Sequence, residues 1–202
     1  MGAPQAGFEY ARDMCLEAEE LGFDSVWLPD HVINAHMDRR QPMLENWTVL
    51  SALAVLTQRV KFAGHTFNNS LRHPAVLAKM AATFDVITGG RLIYSLGSAW
   101  FRPESESYGL PWDDHDDRVA RLREALLIAR SLWTEDETTF DGRFYRLDTA
   151  YLEPKPVACI ARIAAYEQLG VEHLIIQPIP PLEGMRFFAE SIIPAFRASA
   201  SA

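Results

Sequence analysis

Helical and extended patterns alternate along most of this chain, and the stretch 21–31, Leu-Gly-Phe-Asp-Ser-Val-Trp-Leu-Pro-Asp-His, shows the repeating unit most clearly. Ahead of it, Tyr10, Met14, Ala18 and Leu21 recur at helical spacing, which predicts a helix over 8–21. Gly22 follows as a stop, because glycine adopts the left-handed conformation that ends many helices. Ser25-Val26-Trp27-Leu28 reads as a short buried strand, and Pro29 ends it because proline has no N–H to give to a ladder. Asp30 and His31 come next. An acid and an imidazole therefore fall on the loop at the strand's carboxyl end, where parallel α/β folds place their chemistry.

The unit repeats. A second helix is expected from Asn46, read as its N-cap, with Val49, Leu50, Leu53 and Leu56 on one face. Residues 60–64 read as the next strand and 65–73 as its carboxyl-end loop. Pro74 opens a third helix that buries Val76, Leu77, Met80, Ala81 and Phe84 and stops at Gly89-Gly90. Residues 91–96 read as a third strand, 97–117 as a long acidic loop, and 118–132 as a fourth helix with Val119, Leu122, Leu126 and Ala129 at helical spacing. The rhythm then changes. Thr138-Thr139-Phe140 and Arg143-Phe144-Tyr145-Arg146 alternate around Asp141-Gly142, which predicts a hairpin. After a proline-punctuated run at 153–156 come a helix over 158–169, a strand at Leu174-Ile175-Ile176 and a last helix from Leu182.

Helix–strand repetition predicts a parallel sheet covered by helices in a single domain, 1–202. Four such strands in 202 residues do not close a (β/α)8 barrel, which takes about 250 residues and has a lower limit of about 200. The expected fold is an incomplete barrel.

Composition narrows the function. A net charge of −8 with no basic stripe argues against a nucleic-acid partner. No apolar run is long enough to predict a membrane span or a leader. Cys15 and Cys159 lie far apart and read as reduced core residues of a cytoplasmic protein. The run Asp113-Asp114-His115-Asp116-Asp117 suits the positive start of the next helix better than a metal ion. Metalloprotease, α/β-hydrolase, P-loop and dithiol motifs do not occur.

Four stretches in a fixed order resemble a known family. They are 21–31; 64–79 with its Arg72-His73-Pro74; 85–100, Asp-Val-Ile-Thr-Gly-Gly-Arg-Leu-Ile-Tyr-Ser-Leu-Gly-Ser-Ala-Trp; and 132–156 with Phe-Asp-Gly-Arg-Phe-Tyr-Arg-Leu. Together they resemble the luciferase-like monooxygenases, barrel oxidoreductases related to bacterial luciferase that include F420-dependent enzymes. The tail 165–196 looks like that family's last helix–strand–helix. The resemblance implies a luciferase-like TIM barrel lacking the first strand, expected before Phe8, and the strand 5–7 region, expected near the junction of 157 and 158. It implies coenzyme F420 or FMN as cofactor and a small organic molecule as substrate.

Site residues follow from the same resemblance, each beside a plainer reading. His31 matches the histidine near the reactive face of the deazaflavin and is the expected catalytic group, since imidazole trades protons near neutral pH; otherwise it is a loop histidine bonded to a backbone carbonyl. Asp30 orients His31 or accepts bonds from the cofactor, or else caps a strand-end turn. Thr66 and Phe67 fall where the family places a non-proline peptide, often cis, under the ring; Asn68 follows them. Gly97, Ser98 and Trp100 end the third strand and are expected at the cofactor's edge, with Trp100 as a wall. Arg72 and His73 anchor the start of the third helix. Relatives that oxidise sugar phosphates carry Glu at the position of Trp100 and Trp at that of Ala35, and both departures argue against that substrate. A shortened sheet leaves two open edges and strips Val26, Leu28, Phe62 or Ile93 of an opposing layer, which predicts a homodimer. The alternative to an enzyme is a non-catalytic flavin-binding or structural remnant.

Overall fold

The computed structural model describes residues 7–156. The first helix, α1 (Phe8–Glu20), ends at Gly22, whose φ of +86° only glycine adopts freely. It docks through small residues: Cys15 is buried and Ala11 packs beside it, while Tyr10 and Leu21, expected inside, are exposed. Burial pushes the Cys15 thiol up to about 11, so it is an inert core residue.

Strand β1 (Ser25–Leu28) pairs in parallel with β2 (Lys61–Gly64), and β2 with β4 (Leu92–Ile93). A second parallel pair joins β3 (Phe67–Asn68) to β5 (Leu96–Gly97). The single strand expected over 91–96 is thus two short pieces, and the loop after β2 contains a strand that its sequence did not announce. The break has a local cause: a Cβ on Gly64 would lie 2.7 Å from the Phe67 backbone nitrogen and 2.4 Å from its ring, so only glycine lets the chain fold back there.

Helices α2 (Asn46–Ala54), α3 (Pro74–Thr88) and α5 (His115–Thr134) cover one face of the sheet. Register decides which side chains they cover. Val26, Phe62 and Leu92 stand side by side, and the Phe62 ring meets Phe84 of α3 edge-on at 5.9 Å. Side chains alternate along a strand, so Val26, Leu28 and Phe62 face the helices, not the barrel interior as expected. The opposite face carries Trp27, Ala63 and Ile93. Of the four residues expected there, Ile93 alone is in place.

The fourth helix of the sequence reading is α5; of the stripe expected inside, Ala129 is buried, but Val119 and Leu126 are each 45% exposed, and Ala125, Ile128, Leu132 and Trp133 are buried with Ala129 instead. Trp133 donates its indole N–H to the Ala78 carbonyl, which pins α5 to α3. The hairpin β6 (Thr138–Asp141) and β7 (Arg146–Ala150) pairs Asp141 with Arg146, so Asp141 belongs to the strand and the turn is 142–145. Glu124 of α5 accepts the N–H groups of Arg143, Phe144 and Tyr145 and fastens that turn. The elements expected over 158–169, 174–176 and beyond Leu182, the junction at 157–158, and Cys159 lie outside the described residues.

Candidate functional site

Three strand ends converge on one small region. β1 hands the chain through Pro29 to Asp30 and His31; β2 ends at Gly64, followed by the cis peptide His65–Thr66; β5 ends at Gly97. The cis bond precedes Thr66 and lies one residue before the expected pair.

His31 is 7% exposed, and its Nδ1 lies 3.0 Å from Oε2 of Glu104. Trp100 packs edge-on against the imidazole at 5.6 Å between ring centroids, and Phe101 does so at 6.3 Å. Trp100 is itself 58% exposed, so it stands at the rim.

Glu104 is the residue that the sequence did not reveal. It sits in α4 (Arg102–Ser107), a short helix inside what reads as a loop, and is 1% exposed. One oxygen accepts the Val32 N–H at 2.6 Å and the Ile33 N–H at 3.4 Å; the other meets His31 and accepts the Asn68 amide at 3.3 Å. Burial pushes this carboxyl up, but those bonds outweigh it and hold Glu104 below the usual carboxylate range. The signal for α4 was Arg102-Pro103, since proline favours a helix's first turn.

Asp30 does not touch His31 through any hydrogen bond, contrary to its expected orienting role. It is 2% exposed, accepts the Asn68 N–H at 2.8 Å, and takes both arms of the Arg72 guanidinium at 2.8 and 3.1 Å. Burial pushes the Asp30 carboxyl up against the pull of Arg72. Arg72 also pairs with Glu45; burial works against its charge, and the two carboxylates more than offset that. Glu45, not Asn46, is the N-cap of α2: its carboxylate accepts from the N–H groups of Trp47 and Thr48. The Asn46 amide reaches back to the carbonyls of Leu28 and Pro29, which fixes the end of β1. Arg72 therefore anchors Asp30 and α2 instead of α3, while His73 does cap α3, its Nδ1 accepting the Ala75 N–H at 3.3 Å.

Thr66 and Gly97 touch: a Cβ on Gly97 would fall 2.1 Å from the Thr66 hydroxyl oxygen. Ser98 follows Gly97 at the same strand end, half-buried. Phe67 points elsewhere. Its ring is wholly buried and stacked on Trp47 at 4.4 Å, so it serves the core and only its backbone lies at the site. The structure thus links His31 and Asn68 through Glu104, while Asp30 reaches the Asn68 N–H, Gly97 pairs with Asn68, Thr66 abuts Gly97 and Trp100 packs on the imidazole.

The acidic run 113–117 is engaged in structure. Asp113 holds Arg121, Asp114 caps α5 through the Asp117 N–H, and Asp117 pairs with Arg143. Among the described residues no group of three acids, histidines or cysteines is arranged for a metal, and no helix is long and apolar enough to cross a membrane.

Parallel β/α units with a buried polar cluster at their strand ends define a barrel-type α/β protein. The chain belongs to the luciferase-like monooxygenase family, whose profile matches residues 1–158. It is 32% identical over 98% of its length to an F420-dependent glucose-6-phosphate dehydrogenase of Amycolatopsis mediterranei, 60% of which it covers. It is 33% identical over 77% of its length to an FMNH2-dependent dimethylsulfone monooxygenase of Pseudomonas putida, 38% of which it covers. Among solved structures, an F420-dependent secondary alcohol dehydrogenase bound to an F420–acetone adduct superposes with a TM-score of 0.69 at 29% identity, covering 76% of this chain and 46% of that one. The chain spans about half the length of such relatives.

Proposed function

We propose that this chain is an oxidoreductase that binds reduced FMN or coenzyme F420 across the carboxyl ends of its strands and acts on a small organic substrate. One observation carries the reading: His31 is held by Glu104 at the end of β1, and Asn68, whose amide reaches the same carboxylate, is the register partner of Gly97, against which the Thr66 hydroxyl packs. The residues fit a flat ring. Gly97 puts no side chain between Thr66 and β5, Ser98 and the Thr66 hydroxyl offer hydrogen bonds, and Trp100 forms an aromatic wall. When bound, the cofactor supplies the hydride or, as reduced flavin, the electrons that activate oxygen. The protein's part is orientation, exclusion of water and proton movement at His31.

A second reading is a non-catalytic flavin-binding or structural remnant. The favouring observation is the shortness of the parallel sheets, three strands and two, among the described residues. Visible absorbance of the purified protein, followed by NADH–flavin or F420H2 turnover, separates the readings. Bound colour with turnover supports the enzyme; colour without turnover supports the flavin-binding remnant; neither leaves the structural remnant.

If the ring lies beside Trp100, cofactor binding quenches tryptophan fluorescence in the wild type more than in Trp100→Phe. The comparison is needed because the chain has five tryptophans. Equal quenching in both proteins places Trp100 outside the site.

The same proposal includes a cytoplasmic homodimer. Val76 and Ile87 of α3 are exposed and line a groove of about 250 Å³ with Trp47, Met80 and Phe84, an apolar surface of the kind that second subunits cover. The expected result is a dimer by sedimentation whose unfolding midpoint rises with protein concentration. A monodisperse monomer with a concentration-independent midpoint contradicts it.

A further inference from the structure

We infer that Glu104 is a positioning residue for His31: it keeps the imidazole proton on Nδ1 and leaves the Nε2 lone pair free to accept a proton from substrate. The inference deepens the proposed function and rests on the role given there to His31.

Every contact that Glu104 makes is with a donor or with His31. Oε1 accepts the N–H groups of Val32 and Ile33, and Oε2 accepts the Asn68 amide. The one atom in that shell that could take a hydrogen from a protonated carboxyl is Nδ1 itself, but three N–H donors converge on the two oxygens and hold the group below the usual carboxylate range. The group is therefore a carboxylate, which only accepts, and Nδ1 at 3.0 Å must be the donor. With Nδ1–H committed, neutral His31 carries its lone pair on Nε2. That atom has no protein partner among the described residues and is not sealed from solvent. The edge-on rings of Trp100 and Phe101 hold the imidazole in this orientation, and turning it over would set a carbon against the carboxylate.

The two oxygens divide two tasks. Oε1 fastens the backbone after His31; Oε2 faces the side chains. Glu104→Gln separates them. Its amide oxygen retains the Val32 and Ile33 bonds, while its NH2 stands where Oε2 was. An NH2 facing Nδ1 can only donate, so Nδ1 becomes the acceptor and the proton moves to Nε2. The Asn68 amide then meets a donor and has to turn away. The loop stays anchored, but the lone pair that served substrate now points inward.

The test is long-range 1H–15N NMR of the 15N-histidine-labelled full chain, recorded above neutrality so that imidazoles are uncharged. His31 is assigned by its absence from the His31→Ala spectrum. The expected result is the Nδ1–H tautomer in the wild type and the Nε2–H tautomer in Glu104→Gln. Turnover of the cofactor-loaded Glu104→Gln protein falls by about 10²-fold or more with KM little changed, as befits loss of proton transfer and not of binding. An Nε2–H tautomer in the wild type overturns the inference, and this arm needs no variant of Glu104 to fold. So does an unchanged Nδ1–H tautomer in Glu104→Gln, or turnover in that variant equal to the wild type's while His31→Ala is impaired. If instead His31→Ala turns over like the wild type, the function proposed for His31 fails, whatever its tautomer.

Discussion

His31→Ala is expected to lower turnover of the cofactor-loaded protein by about 10²-fold or more, the usual scale of a general acid–base contribution. The imidazole is the described side chain best placed to move a proton at the strand ends: it is almost buried, its Nδ1 is held by Glu104, and its Nε2 has no partner among the described residues. The fold survives the change for a reason that can be read from the contacts. Glu104 loses one donor but keeps the Val32, Ile33 and Asn68 bonds, so no buried carboxylate is stranded. Trp100 and Phe101 lose an edge contact at the rim, where water can replace it. The check is steady-state turnover beside a thermal melt. Wild-type turnover in a cofactor-loaded His31→Ala protein removes the catalytic role.

Arg72→Ala is expected to cost about 3–5 kcal/mol of stability, the range found when one partner of a buried ion pair is removed. The Arg72 side chain is 14% exposed and that of Asp30 is 1% exposed, so solvent screens the pair little. Removal leaves Asp30 with the Asn68 N–H as its remaining hydrogen-bond donor among the described residues and frees Glu45 from its cation. The loss depends on pH, with a definite sign. Burial already holds the Asp30 pKa above its ordinary value, and removing Arg72 raises it further. A carboxyl with a raised folded-state pKa favours the folded state below its unfolded pKa and loses that advantage as pH climbs through the folded one. The deficit of Arg72→Ala relative to the wild type is therefore greatest near neutrality and shrinks as the medium is acidified through the carboxylate range. Denaturant melts of both proteins at several pH values check this; a deficit that is flat or grows on acidification contradicts it.

Much of this arrangement was legible in the sequence because strong local signals agreed. The run 21–31 announces helix, stop, strand and loop through Gly22 and Pro29, and all four are found where expected. Pro74 opens α3 and a left-handed Gly89 closes it. What failed did so where contact, not pattern, decides. Spacing alone cannot choose between adjacent stripes of a helix, so the stripe read for α5 shares Ala129 with the buried one but not Val119 or Leu126. Alternation in β1 and β2 says that two faces differ but not which one meets the helices; Phe62 settles that only by meeting Phe84. Asn46 looked like an N-cap, yet Glu45 takes that place because the Asn46 amide is needed by two carbonyls at the end of β1.

Glu104 shows the limit most sharply. Nothing within an acidic stretch marks one glutamate as buried; it becomes so because α4 carries it back across 73 residues of chain to His31. Phe67 is the converse case. Its position beside the cis peptide suggested a cofactor contact, but the bare Gly64 beneath it and Trp47 above it draw the ring into the core.

The central claim is that a flat redox cofactor lies across the strand ends beside His31, Thr66, Gly97 and Trp100. Equilibration of the purified chain with FMN or F420, followed by gel filtration and a visible spectrum of the protein peak, tests it most directly. The account predicts that an isoalloxazine or deazaflavin band travels with the protein at near-stoichiometric ratio, shifted from the spectrum of the free compound. A colourless protein peak with both cofactors, and no spectral change on mixing, would contradict it.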